Sequence, residues 1–253
     1  MDNLAVNRKT GGMYMLETVG STPIFSREQL NDEQKEIQKM VEDFVTEKVY
    51  PLNKQIESKD LELTKQLIRE MGELGLLSID IPEELGGMEM DKVTGIVVAE
   101  ALAYGGSGSF TVSASTQTGI GMLPIIWFGS EEQQEKYLPK LATGELIGAY
   151  ALTEPEAGSD ATSGKTIANL STDEKNYILN GEKQFITNGG IADIYTLFAQ
   201  VGGNKFSAFI VERNMEGFEV GPEEHKLGSK GSSTTPLKLT NVSVPVENLL
   251  GNV

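Results

Sequence analysis

Apolar side chains in the first half of the chain recur every three or four positions, the pattern of helices with one buried face. The clearest stripe follows Asn31, which with Gln34 has the sequence of a capping box, and Pro51 is predicted to end this helix. Its apolar positions are Ile37, Met40, Val41, Phe44 and Val45. Four more helices are predicted at residues 61–74, 91–104 and 110–128, and from Ser130 onward behind a second capping box.

The second half has a different pattern, with short segments rich in β-branched and aromatic residues between turn clusters. The predicted strands are residues 147–152, 165–170, 176–183, 194–201, 206–211 and 237–242. The fold class is therefore α+β, a helical bundle domain followed by an all-β barrel or sandwich. The predicted boundaries are an N-terminal arm at 1–30, the helical domain at 31–145 and the β domain at 146–253.

The composition is that of an acidic folded protein. The chain has 253 residues, 39% of them hydrophobic, and a formal net charge of -16. Such a charge opposes binding to nucleic acid or an anionic membrane, but an anionic ligand can still be held by local amides and hydroxyls. No apolar run approaches the roughly 20 residues that span a bilayer, and the first residues lack a secretory pattern, so the cytoplasm is predicted.

Cysteine and histidine give no metal site. The chain has no cysteine, which excludes disulfides and thiolate metal ligands. Its one histidine, His225, stands among charged residues and is predicted to be a solvated surface side chain.

The candidate chemistry starts in residues 150–160, Tyr-Ala-Leu-Thr-Glu-Pro-Glu-Ala-Gly-Ser-Asp. Thr153 leaves an apolar strand, and Pro155 and Gly158 are expected to hold the next backbone open so that its N–H groups can reach a ligand. Ser159 and Asp160 add a hydroxyl and a carboxylate that can bind a ligand edge or cap the turn.

A second segment at residues 180–190, Asn-Gly-Glu-Lys-Gln-Phe-Ile-Thr-Asn-Gly-Gly, offers an opposite wall. Phe185 has a flat apolar face, Ile186 fills space beside it, and the Thr187 hydroxyl can meet a ring nitrogen before the chain turns away. Either segment alone could be an ordinary turn of an unrelated β domain. Together they favour a flat cofactor with polar edges.

The two segments together resemble the flavin-binding signature of the acyl-CoA dehydrogenases. The resemblance implies FAD as cofactor, with Thr153 on the pyrimidine side, Thr187 near N5, and Ser159 also facing the acyl-CoA. The implied cofactor-binding residues are Tyr150, Ala151, Leu152, Thr153, Gly158, Ser159, Phe185, Ile186 and Thr187. Phe185 stands where many members have tryptophan, and Glu156 replaces a usually small residue and is expected to face solvent.

The resemblance also implies a reaction, the α,β-desaturation of a fatty acyl-CoA in β-oxidation, with electron-transfer flavoprotein as acceptor and a homo-oligomeric full-length form. In the family the glutamate that removes the α-proton lies in a C-terminal helical bundle. That part would lie beyond Val253, so the chain is expected to be a truncated form, inactive by itself, with no catalytic residue of its own. The N-terminal stretch through Phe25 resembles the extended start of the very-long-chain subgroup.

Alternatives stay open at this point. The chain could be a non-catalytic member that binds FAD or acyl-CoA or serves assembly, or an acyl-CoA oxidase or nitroalkane oxidase type of enzyme. If the chain alone were active, Glu154 or Asp160 would be the first carboxylates to consider. Residues 229–235, with Lys230, are either a coenzyme A contact or a flexible hairpin connection.

Overall fold

Helix formation begins at the capping box that the sequence predicts. In the computed structural model, which describes residues 26–203 and 205–253, helix α1 spans Asp32–Phe44. The Asn31 side chain accepts from the Gln34 amide at 2.7 Å, and the Gln34 side chain accepts from the Asn31 amide at 3.1 Å. The two bonds satisfy donors that the first helical turn would otherwise leave without partners.

The predicted end of this helix at Pro51 is wrong. The α-helix ends at Phe44, and the chain continues as a π-helical turn at Val45–Val49, a 3-10 turn at Tyr50–Leu52 and a short helix α2 at Asn53–Glu57. Pro51 lies in the first turn of a new segment, where its missing N–H removes no helical hydrogen bond.

Three further helices agree with their predicted positions to within one or two residues at the ends that were specified: α3 at Leu61–Glu73, α4 at Lys92–Tyr104 and α7 at Glu131–Ala142. The predicted helix at 110–128 is instead two helices, α5 at Gly108–Thr118 and α6 at Leu123–Phe128. Between them Gly121 lies against the first strand, where an added Cβ would come within 2.9 Å of the Gly148 carbonyl oxygen. The helix has already ended at Thr118, and Gly119 leaves the helical conformation with φ -96° and ψ -109°. Gly121 then has no room for a side chain, because an added Cβ would also come within 2.8 Å of the Thr116 carbonyl oxygen.

The second half forms one hydrogen-bonded sheet of eight strands. The strands are β1 Gly148–Ala151, β2 Ile167–Leu170, β3 Asn176–Thr187, β4 Ile194–Val201, β5 Lys205–Glu212, β6 Phe218–Val220, β7 Thr234–Pro245 and β8 Leu249–Leu250. The order is β6-β7-β3-β2-β4-β5-β8, and β1 pairs with β4. The prediction missed β6 and β8 and made β3 and β7 too short, but the expected succession of a helical and then a β part is confirmed.

Strand β4 organises the centre of this sheet. It runs antiparallel to β5 along its length, whereas β1 and β2 both pair with it in parallel, at its start and its end. Strand β3 pairs with β2 through its first half and with β7 throughout. The segment that follows β1 therefore lies beside the second half of β3.

The larger of two hydrophobic cores in the described part of the chain joins the helices to the sheet. It contains Phe44, Leu67 and Phe110 from the helices together with Leu197 and Phe209 from β4 and β5. The shared core holds the sheet and the helices in one arrangement.

Within the described part of the chain, no helix is long and apolar enough to cross a membrane. The domain division at residues 145 and 146 stays a prediction, and residues 1–25 of the arm lie outside the described residues.

Candidate functional site

The structure brings the two segments singled out from the sequence into direct contact. Strand β1 ends at Ala151, and the backbone of the next residues runs beside β3, where the Gln184 amide donates to the Thr153 carbonyl oxygen at 2.9 Å. Beyond it, Glu154 and Ala157 exchange two backbone hydrogen bonds of 3.0 and 3.1 Å around a tight turn that contains Pro155. The two segments thus form adjoining walls of one site.

Phe185 is turned outward by a β-bulge. Regular alternation along β3 would put Phe185 on the same face as Lys183, which is fully buried. The pairing with β7 gains one residue between Lys183 and Ile186, and Phe185 adopts a φ of 58°. As a result its side chain is 61% exposed. A left-handed backbone at a residue other than glycine costs about 1–3 kcal/mol and tends to persist where function needs it.

Each of the two segments also carries a threonine hydroxyl. Thr153 and Thr187 are both half-buried. Neither hydroxyl bonds to any residue within 26–203 or 205–253, so both are free to bind a ligand edge. Gly158 is exposed, and a Cβ added there would meet nothing within 4 Å, so the backbone at this point is open to an incoming group.

The remaining predicted residues contribute in different ways. Tyr150 is half-buried against Phe198, with ring centroids 5.0 Å apart, and this burial raises the pKa of its phenol. The side chains of Ala151 and Ile186 are buried in the hydrophobic core, whereas the Phe185 ring is exposed. That Ile186 fills space beside the Phe185 ring stays a prediction. Leu152 is half-buried, and Ser159 is exposed at the mouth of the turn.

A buried ion pair that sequence reasoning missed lies behind the two walls. Lys183 donates to the Glu154 carboxylate at 2.7 Å and to the Leu152 carbonyl oxygen at 3.2 Å. The same carboxylate accepts from the Thr166 amide at 3.1 and 3.2 Å and from the Lys165 amide. A lysine at an inward position of a strand was the available signal, because a buried lysine is almost always paired.

The protonation of this pair follows from its surroundings. Burial by itself would raise the pKa of Glu154, but the bonds from Lys183, Thr166 and Lys165 outweigh it and hold that pKa below its usual range. Burial lowers the pKa of Lys183, although its contact with Glu154 opposes the change. An anionic carboxylate with this many donors is a poor proton acceptor. Asp160, the other carboxylate considered from the sequence, is exposed at the rim.

Residues 221–233 connect the antiparallel strands β6 and β7, so the segment is a hairpin connection, as one of the two alternatives had it. It is also held against the rest of the protein. Residues 231–235 are buried, and the Gly231 amide donates to the Ser109 hydroxyl at the start of α5, at 3.0 Å. Lys226 donates to the Ser232 carbonyl oxygen at 2.6 Å. Only Ser229 and Lys230 are exposed, so only these two side chains could meet a ligand.

Two predictions about surface residues are confirmed. His225 is exposed, as expected for a solvated side chain in a charged loop. Glu156 is also exposed, at the tip of the turn after Pro155.

Two family models match the chain: acyl-CoA dehydrogenase, N-terminal domain, over residues 31–145, and acyl-CoA dehydrogenase, middle domain, over residues 149–242. A probable acyl-CoA dehydrogenase of Bacillus subtilis strain 168 is 47% identical over 253 residues, 100% of this chain and 42% of the relative. The mitochondrial very long-chain specific acyl-CoA dehydrogenase of Homo sapiens is 37% identical over 234 residues, 88% of this chain and 36% of that protein.

Solved structures give the same relationship. An acyl-CoA dehydrogenase from Bacillus anthracis, complexed with FAD, superposes with a TM-score of 0.91 at 45% identity and covers 96% of this chain and 42% of that one. The chain therefore spans less than half the length of these three relatives.

Proposed function

The chain belongs to the acyl-CoA dehydrogenase family, and on that premise we propose that the complete gene product is an FAD-dependent enzyme that desaturates fatty acyl-CoA thioesters. The observation that carries the proposal is the joining of two segments around an exposed Phe185 ring and two available hydroxyls. The proposal also assigns the enzyme to fatty acid β-oxidation in the cytoplasm, as a homo-oligomer with electron-transfer flavoprotein as its electron acceptor.

The residues present fit a flavin. Its ring system needs a flat apolar face and polar partners for the nitrogen and oxygen edge. Phe185 offers the face, and Thr153 and Thr187 offer hydroxyls on the adjoining walls. The open backbone at Gly158 lets the rest of the cofactor come close to the main chain. We assign Thr153 to the pyrimidine side and Thr187 to the side that carries N5.

Bound FAD would supply the two-electron acceptor that the desaturation requires. The part played by this chain's own residues is orientation and the exclusion of water. Phe185 would cover one face of the ring, and the exposed Ser159 hydroxyl would bond to the cofactor and the coenzyme A thioester. With a net charge of -16, the chain must hold an anionic substrate through such local donors and not through its overall field.

The two carboxylates considered from the sequence are not suited to the role of proton acceptor. Glu154 is committed to Lys183 and to two backbone amides, which argues against the role that was considered for it. Asp160 is exposed, and its carbonyl and carboxylate accept from the Ser163 and Thr162 hydroxyls of its own turn. These contacts support an orienting role for the residues of this site and not the role of proton acceptor.

An anaerobic titration tests this proposal. The purified complete gene product should show a visible flavin spectrum, and a long-chain acyl-CoA should bleach it with formation of the enoyl-CoA. Loss of bleaching while flavin stays bound would point instead to a non-catalytic binding or assembly protein. Rapid peroxide formation in air, with no transfer to electron-transfer flavoprotein, would identify an oxidase and refute the dehydrogenase assignment.

A further inference from the structure

The Lys183–Glu154 pair differs from the other ion pairs of the described chain in its burial. Its two side chains are 0% and 4% exposed, whereas each side chain in the other described pairs is at least 16% exposed. Removing two charges from water costs several kcal/mol per ion, and buried pairs can often be replaced by uncharged groups of similar volume without loss of stability. A purely stabilising role therefore does not account for the pair.

The bonds of the pair connect the two walls of the site at consecutive positions. From β3, Lys183 reaches the Leu152 carbonyl oxygen and the Glu154 carboxylate, which flank Thr153 on both sides. The next residue of β3, Gln184, donates its amide to Thr153 itself. Residues 152–154 of the first wall are thus bonded to Lys183 and Gln184 of β3, immediately before the bulge at Phe185.

The carboxylate extends this connection to a third strand. Its bonds from the Lys165 and Thr166 amides hold it beside the two residues that precede β2. Gly164 leaves it room, since a Cβ there would come within 2.8 Å of a carboxylate oxygen. The side chain of Glu154 is therefore fixed from two directions and cannot shift without moving the backbone at Thr153.

We propose that Lys183 and Glu154 are positioning residues that set the spacing between the Thr153 wall and the Phe185–Thr187 wall, and so determine how tightly flavin is held. The inference rests on the proposed function. It predicts that the pair is required for flavin affinity and for the flavin spectrum.

The test replaces the charges and keeps the hydrogen-bond acceptor. In the complete gene product, Glu154→Gln combined with Lys183→Met leaves an oxygen for the Lys165 and Thr166 amides but removes the link to Lys183. The control is Lys136→Met with Glu212→Gln, the same two changes at an ion pair of 2.8 Å outside both walls. The measurements are the FAD dissociation constant, from quenching of flavin fluorescence, the visible absorption maximum, and the melting temperature of the apoprotein.

The double variant at the buried pair should weaken FAD binding at least 10-fold and shift the visible band, while the apoprotein still melts cooperatively. The control should bind FAD within 2-fold of the unsubstituted protein. A buried-pair variant with unchanged affinity and an unchanged band overturns the inference. An unsubstituted protein that takes up no flavin refutes the proposed function instead, so the two failures are distinguishable.

If the double variant does not fold, Glu154→Asp tests the positioning role instead. It keeps the charge but shortens the reach of the carboxylate by one methylene group. Positioning predicts a lower FAD affinity and a shifted band for this variant. An aspartate variant that binds FAD with the affinity and the spectrum of the unsubstituted protein shows that only charge neutralisation matters and overturns the inference.

Discussion

Replacing Phe185 by alanine or glycine separates its backbone strain from its role as a ring surface. At a φ of 58°, glycine has no Cβ penalty, whereas alanine keeps it. The glycine variant should therefore be more stable than the alanine variant by about 1 kcal/mol, the reverse of the usual order in a strand. For a chain of this size that corresponds to about 2–4 °C in melting temperature.

The same two variants should lose flavin affinity together. Phe185 is 61% exposed, and a phenylalanine side chain buries roughly 150–250 Å² when it is covered completely. A ring system lying on one face would cover about 50 Å² of it, worth about 1.3 kcal/mol at 25 cal/mol per Å². Ring stacking adds about 0.5–1.5 kcal/mol, and the sum corresponds to a loss of roughly 20- to 100-fold in affinity.

The assays are thermal unfolding of the apoprotein and fluorescence titration with FAD, with Phe185→Trp as the control that keeps a flat face. The tryptophan variant should bind FAD at least as tightly as the unsubstituted protein. If the alanine variant bound FAD with unchanged affinity, the assignment of Phe185 as a wall of the flavin site would be wrong. If alanine were more stable than glycine, the bulge geometry would be wrong.

Three further predictions concern charge and packing. Glu154→Gln alone leaves Lys183 buried without its carboxylate and should cost about 3–5 kcal/mol at neutral pH, seen as a lower melting temperature. The pKa of Glu154 is lower in the folded than in the unfolded protein. The stability that its carboxylate contributes is therefore complete above the unfolded pKa of about 4.3 and is lost as the pH falls through the folded pKa. The melting temperature of the Glu154→Gln variant should accordingly fall less on acidification than that of the unsubstituted protein. Burial raises the pKa of Tyr195 to about 12. The stability that its neutral phenol contributes is therefore complete below about pH 10 and is lost as the pH rises through the folded pKa. Tyr195→Phe should remove this alkaline loss of stability, measured as the melting temperature against pH. Gly121→Ala should cost about 1–3 kcal/mol of unfolding free energy, since its Cβ would press on a carbonyl oxygen of β1, whereas Gly228→Ala, with nothing within 4 Å, should be neutral in the same denaturation assay.

The candidate site shows how far local patterns reach. Residue types and order identified Thr153, Phe185 and Thr187 as partners for a flat ligand, and the structure places their segments side by side. The outward direction of Phe185 could not be predicted, because alternation along β3 assigns it to the buried face. That direction depends on a one-residue register gain against β7, which lies some fifty residues further along the chain.

The helical half shows the same limit. The capping boxes at Asn31 and Ser130 were predicted correctly because all their partners lie within three residues. The break between α5 and α6, at Gly119, was not predicted. The close approach of Gly121 to Gly148 of β1 could not be predicted either, because it depends on where the strand lies. The path past Pro51 was likewise misjudged, since proline opens a helical turn as readily as it ends one.

The sequence by itself determined the order of helices and strands, the capped helix starts and the two segments of the candidate site, because each depends on hydrogen bonds and side-chain periods within a few residues. Only the tertiary structure decided the bulge at Phe185, the fixed state of residues 231–235 and the pairing of Lys183 with Glu154. These features join residues far apart in the chain. Their energies come from burial and register, which are defined only once the sheet has formed on the helical core.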